Sequence, residues 1–290
     1  HPLRREILAT HLTNALINRV GCAFVHRLME ETDARPDEIV RACIMARDVF
    51  DLDEIWRAID ALDNRVPDDV QARMFVDIAR LLERAALWFL RHLQAGAVDR
   101  DGVGSLLARC RDAAQRLAPQ LPALLPEADL EALSVRQGEL VNAGVESTLA
   151  LRAASGEIPV ALLDIAEVAA ACGRPLELVA SAYFALGTRL NYGWISERAA
   201  TLPTPTHWDT MARAAALAEV ARLKRALTTS ALAQSPDTAD AEAIVDAWCA
   251  QHEAALERYG HLLAELRASS NVSLSVLLVI ARAMAALERA

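Results

Sequence analysis

The chain has 290 residues, a net charge of −9 and 53% hydrophobic but only 4% aromatic residues, and at that length it can bury roughly three quarters of the surface its unfolded form exposes without help from a disulfide or metal. The negative charge repels nucleic-acid phosphates at long range, and the single lysine, Lys224, leaves at most one candidate for Schiff-base, P-loop or lysine general-base chemistry. The cysteines, Cys22, Cys43, Cys110, Cys172 and Cys249, are odd in number, scattered and without a CxxC pair, which fits reduced thiols in a cytoplasm rather than a disulfide framework.

Alanine and leucine dominate and no segment alternates with period two for long, so the expected fold is all-α, a multi-helix array. Leu3 to Met29 carries Ile7, Leu8, Leu12, Leu16, Phe24 and Leu28 near one face and predicts a long amphipathic helix. On that helix Thr10, Asn14 and Asn18 form a polar ridge ending at Gly21, with Arg4, Arg5 and Arg19 nearby. A glycine inside a helix costs roughly 1 kcal/mol relative to alanine, so Gly21 suggests close packing. The expected interdomain contact is therefore Arg4, Arg5, Asn14, Asn18 and Arg19.

Thr32 and Asp33 are candidates to start the next helix, with Pro36 in its first turn. The stretch ARDVFDLDEIWRAIDALDNRVP, Ala46 to Pro67, then packs Asp48, Asp51, Asp53, Glu54, Asp60 and Asp63 together. A calcium loop would need a turn glycine and a distal glutamate, and neither is in place. The pattern fits a capping box instead, with the Asp51 carboxylate accepting at the helix start, Glu54 reaching back, and Phe50 and Ile55 as a hydrophobic staple. Ile55, Ile59 and Leu62 are the buried stripe, leaving Asp60 and Asp63 in water.

Val66 and Pro67 open a long helix with Met74, Ile78, Leu81, Ala85 and Trp88 inside, stopping at Gly96. Gly96 to Gly104 reads as a loop, and DRDGVGS (Asp99 to Ser105) as a turn that lacks the strand, third glycine and lysine of a phosphate-binding fingerprint. Pro119, Pro122 and Pro126 interrupt the next segment. Helices are expected at about Ala128–Asn142, Pro159–Cys172, Pro175–Leu190, Trp194–Thr201, Thr206–Ala233, Ala239–Ala268 and Ser273–Arg289. The boundaries suggest an N-terminal module (1–118), a proline-interrupted connector (119–158) and a C-terminal module (159–290), which can also pack as one domain.

The most apolar segment, Val272 to Leu287, is too short to span a bilayer and contains Arg282; no membrane association is expected. VAAACGRPLELVASAYFAL imitates a helix-turn-helix, but its second helix offers no side chain to read bases, so it is an ordinary hairpin. Cys249, His252 and His261 are spaced like ligands without a fourth partner and read as surface residues. At an offset of 139 to 140, Pro36, Glu38, Val40, Phe50, Ile55 and Leu62 meet Pro175, Glu177, Val179, Leu190, Ile195 and Leu202. This predicts two repeated three-helix modules, Pro36 to Leu93 and Pro175 to Leu232.

Five segments together carry a family resemblance: HPLRREILATHLTNALINRVGCAFVHRL, ARDVFDLDEIWRAIDALDNRVP, ERAALWFLRH, LDIAEVAAACGRPLELVASAYFALGTRL and WISERAATLPTPTHWDTMARAAALAEV. In this order they resemble the C-terminal region of the large bacterial NAD-specific glutamate dehydrogenases. That family oxidises L-glutamate to 2-oxoglutarate and ammonium, passing hydride to NAD. The resemblance implies that the substrate and cofactor sites lie upstream of these residues, so no catalytic, cofactor or metal residue is carried over and NAD is a cofactor of the parent only. The start at His1 without a methionine accords with excision from a longer chain. The implied partners are the catalytic region of the same chain and further copies of the parent, a homo-oligomer in the cytoplasm, with a structural, assembly or regulatory role for this segment. The alternative is a free-standing helical scaffold that binds a protein or small effector.

Overall fold

The computed structural model describes residues 14, 21–94, 100–235, 237–268 and 273–289. Among them the regular elements are helices, with no strand, as the composition predicts. They form two compact units, His1–Ala123 with Glu127–Ala166, and Leu124–Pro126 with Glu167–Ala290.

The first unit begins with α1 (Cys22–Thr32), α2 (Pro36–Val49), α3 (Leu52–Asp60) and α4 (Asp68–Gln94). Pro36 is the first residue of α2, where its missing N–H is no loss, and the Glu38 carboxylate accepts from the Arg35 N–H at 2.9 Å. The inner face of α2 (Ile39, Ala42, Cys43, Ala46, Val49) packs on that of α4 (Met74, Ile78, Leu81, Leu82, Ala85, Phe89), all of them 3% exposed or less. Each large aliphatic chain so buried contributes about 1.5–3 kcal/mol, and that sets the register of the pair. After α5 (Arg100–Leu117), the three prolines break the chain into a 3-10 turn, Ala118–Gln120, and α6 (Leu121–Leu124). The unit continues through α7 (Glu127–Asn142) and α8 (Ser147–Ala154) into α9 (Ala161–Cys172), along which the boundary between the units falls.

The second unit contains α10 (Leu176–Arg189), α11 (Tyr192–Thr201), α12 (His207–Gln234), α13 (Ala241–Gln251), α14 (Glu253–Ala268) and α15 (Leu274–Glu288). The long α12 is its axis, packed on α10, α13 and α15. Thr206 starts α12 as a reciprocal cap: its hydroxyl accepts from the Asp209 N–H at 3.1 Å and the Asp209 carboxylate accepts from the Thr206 N–H at 3.1 Å.

Several local expectations are corrected. Gly21 sits at φ 79 as the residue before α1, and a Cβ built there meets none of the described residues within 4 Å; the helix expected over Leu3–Met29 does not run through it, and its residues 3–13 and 15–20 lie outside the described residues. Asp51 does not cap α3 with its side chain: it adopts φ 49, left-handed, and α2 runs into α3 around it. An N-cap bond needs an extended backbone at the cap residue, and the left-handed Asp51 leaves none. Residues 100–105 are helical, held by the buried stripe Leu106, Cys110, Ala113 and Leu117 further along the same helix. The single helix expected over Ala239–Ala268 is broken at His252. Helix α8 was not anticipated; its start is capped by the Glu146 carboxylate, which accepts from the Thr148 and Leu149 N–H groups at 2.9 and 3.0 Å.

Candidate functional sites

The acidic stretch folds into the α2–α3 corner. Asp48 pairs with Arg47 at 3.3 Å, Asp53 with Arg47 at 3.5 Å and Glu54 with Arg152 at 3.6 Å, while Asp60 and Asp63 face water. Two further guanidinium contacts land on the last carbonyls of α2: Arg111 donates to Asp48 O at 3.2 Å and Arg152 to Phe50 O at 3.1 Å. These carbonyls are the negative end of the helix dipole, so cations there stabilise the corner. An open cleft beside it is lined by Arg47, Asp48, Asp51, Asp53, Glu54, Arg57 and Arg111. Its charges answer one another, and the arrangement holds a corner. Among the described residues no three His, Cys, Asp or Glu side chains converge as a metal site would require. Phe50 and Ile55, expected as a staple, are both buried.

A second polar group lies inside the first unit. The Trp88 indole N–H donates to Asp164 at 2.7 Å, joining α4 to α9, with the carboxylate 6% exposed. His92 stacks on Trp88 with centroids 3.6 Å apart, its Nδ1 donating to the Trp88 carbonyl at 2.7 Å. The same spacing recurs in the second unit, where His252 stacks on Trp248 at 4.3 Å and Nδ1 donates to the Trp248 carbonyl at 2.8 Å. There the indole N–H is buried without a hydrogen-bond partner among the described residues. His252 Nδ1 is thus occupied by the Trp248 carbonyl, and among the described residues Cys249, His252 and His261 form no cluster of three ligands.

The third group surrounds the only lysine. Lys224, on α12, is 4% exposed, and its Nζ lies 3.6 Å from the Tyr183 ring centroid and 4.3 Å from that of Tyr192. Gly187 makes the approach possible, since a Cβ there would stand 2.8 Å from Nζ. A desolvated ammonium against two phenol rings is a strong cation–π arrangement, here an internal lock between α10, α11 and α12.

Of the residues expected at an interdomain contact, Asn14 is helical and exposed; Arg4, Arg5, Asn18 and Arg19 lie outside the described residues. In the hairpin expected at Val168 to Leu186, Val168, Ala169 and Val179 are all buried. The sequence reading missed the Trp88–Asp164 pair and the surroundings of Lys224. The recurrent Trp-x-x-x-His spacing marks the two Trp–His stacks, and nothing local signalled the Trp88–Asp164 pair or the surroundings of Lys224.

Comparison with known proteins gives one consistent result. Residues 1–286 match the family described as glutamate dehydrogenase, C-terminal. The chain is 35% identical over 270 residues to an NAD-specific glutamate dehydrogenase of Halomonas elongata, covering 93% of this chain and 16% of that protein. It is 33% identical over 288 residues to that of Pseudomonas aeruginosa (97% and 17%) and 28% identical over 282 residues to that of Mycobacterium tuberculosis (97% and 17%). The chain spans about one sixth of the length of these curated relatives.

Proposed function

Because the chain belongs to the glutamate dehydrogenase C-terminal family, we propose that it is the non-catalytic helical end of a longer NAD-dependent glutamate dehydrogenase, packing on the region that holds the active site and supporting its folding and assembly. The longer enzyme converts L-glutamate and NAD to 2-oxoglutarate, ammonium and NADH, in the cytoplasm and as a homo-oligomer. The observation that carries this reading is coverage: the relatives match nearly all of this chain with only 16–17% of their own length. Its internal polar clusters support the same reading, because their contacts tie one helix to another. The purified 290-residue segment is expected to yield no glutamate-dependent NADH, and its deletion from the longer enzyme is expected to abolish soluble assembly or activity. Turnover by the segment alone overturns the proposal.

We also infer that the two units carry a duplicated three-helix module, Pro36–Leu93 and Pro175–Leu232. Helices α2 and α10 have 14 residues each, and each is followed by a left-handed corner, Asp51 and Asn191. The buried α4 positions 74, 78, 81, 82, 85, 86, 89 and 90 recur 142 residues later as the buried positions 216, 220, 223, 224, 227, 228, 231 and 232 of α12. An experimental structure in which these segments do not superpose with matching connectivity rejects the duplication.

A further inference from the structure

A helix at the surface of a soluble unit normally carries one apolar stripe, and a helix that is apolar all round is covered on every side. Helix α15 breaks that rule. Its inward face, Leu277, Ile280, Met284 and Leu287, is 2% exposed or less, while the opposite face presents Ser275, Leu278, Val279, Arg282 and Ala286, all exposed. At 100° per residue these five positions fall within about one third of the helix circumference. Leu278 is 57% exposed and Val279 45%. No carboxylate lies among them, and Glu288, near the helix end, is taken by Arg222 at 3.2 Å. Arg282 has no ion-pair partner among the described residues.

We propose that this outward face of α15 is the docking surface for the part of the polypeptide that lies outside these 290 residues, which meets it with an apolar surface carrying a carboxylate opposite Arg282. The proposal rests on the reading of the chain as one end of a longer dehydrogenase, whose relatives place more than four fifths of their length elsewhere. Area selects this occupant over a second copy. Fifteen residues give a stripe about 22 Å long and about 10 Å wide, roughly 220 Å², against about 800 Å² per partner in a stable complex of separate molecules. A segment tethered in the same chain docks with less, because its effective concentration is high. Charge selects the chemistry, since an arginine covered by apolar surface requires a carboxylate partner. A bilayer is a poorer occupant: no described helix is long and apolar enough to cross a membrane, and this face lacks the basic and aromatic residues of an interfacial helix.

The test uses the enzyme as its host makes it. A photo-crosslinking phenylalanine analogue replaces Leu278, the linked peptides are mapped, and the mass of the denatured polypeptide is read in parallel. The expected result is a link from position 278 to residues that precede His1 in the same chain, together with an activity loss of at least about tenfold, the size of one interface hot spot, in Leu278→Asp. Val135→Asp, at an equally exposed valine (56%) on α7, is expected to leave activity unchanged. A polypeptide no heavier than 31.5 kDa overturns the longer-chain reading and the docking surface with it. A heavier polypeptide that links only to a second copy's α15, or that forms no link and tolerates Leu278→Asp as well as Val135→Asp, overturns the docking surface alone.

Discussion

The α2–α3 corner of the first unit and the α10–α11 corner of the second solve one geometric problem with different chemistry. The first turns on Asp51 (φ 49) and the second on Asn191 (φ 55), both residue types that tolerate the left-handed region. In the first, the carbonyl before the corner, Phe50 O, accepts from Arg152 on α8 at 3.1 Å; in the second, Leu190 O accepts from the Tyr259 hydroxyl on α14 at 2.9 Å. A left-handed residue between two helices leaves that acceptor without a helical donor, and the fold satisfies it from whichever element passes nearby. Under the proposed duplication the long helices differ more deeply: α4 buries Leu82 where the position 142 residues later on α12 buries Lys224. The corner thus constrains backbone and hydrogen bonding, and leaves the interior free to be apolar in one unit and cationic in the other.

The sharpest way to break this comparison is at Lys224. Lys224→Ala is expected to destabilise the second unit by about 2–4 kcal/mol, through loss of the buried stem and the void left behind. Lys224→Leu, which installs the first unit's solution, is expected to stay within about 1.5 kcal/mol of the parent. Urea unfolding followed by tryptophan fluorescence measures both, and equal losses would show that the ammonium matters beyond its stem. Next comes the tryptophan pair. Trp88→Phe and Trp248→Phe remove similar volumes, but only Trp88 donates, to the buried Asp164. The first should therefore cost about 1–2 kcal/mol more than the second, and indistinguishable unfolding midpoints would contradict the assigned bond. At the corners, Tyr259→Phe should cost about 1 kcal/mol and Arg152→Ala less, because that arginine is partly exposed and screened by solvent.

Alkaline titration gives the smallest effects. Burial pushes the Cys43 thiol of the first unit up to about 12 from 9.0, and burial also raises the Tyr259 phenol of the second above its ordinary 10.0. Both groups keep their proton in the folded state after the unfolded chain has lost it, so their contribution is intact below the unfolded values and declines as pH rises. Burial also raises the Cys172 and Cys249 thiols of the second unit from 9.0, so both units should begin to lose stability near pH 9, with the Tyr259 contribution declining only above about pH 10. Thiol labelling provides a check: at pH 8 the exposed Cys22 reacts and the buried Cys43 does not.

Most of the architecture was legible because helix periodicity and proline stops are local. Pro36, the stripe Met74–Ile78–Leu81–Ala85 and the prolines at 119, 122 and 126 all fall where the sequence puts them. The failures are equally specific. Asp51–Glu54 has the local signature of a capping box, yet the positive φ of the corner removes the geometry the cap requires. Glycines 102 and 104 read as loop, yet the apolar stripe of α5 carries the helix through them, because propensity is a weak prior that packing overrides. Glu54, read as half of that cap, instead pairs with Arg152 arriving from α8, while Asp60 and Asp63 face water as read.

The sequence by itself determined the all-helical class, the place of most helices and the glutamate dehydrogenase family, since each is written in spacings of a few residues or in ordered runs of them. Only the tertiary structure decided that the one lysine is an internal cation between two tyrosine rings, that Trp88 reaches Asp164 across 76 residues of chain, and that α15 keeps an apolar face open. These features depend on which helices are brought together, and period and propensity do not specify pairings between distant segments.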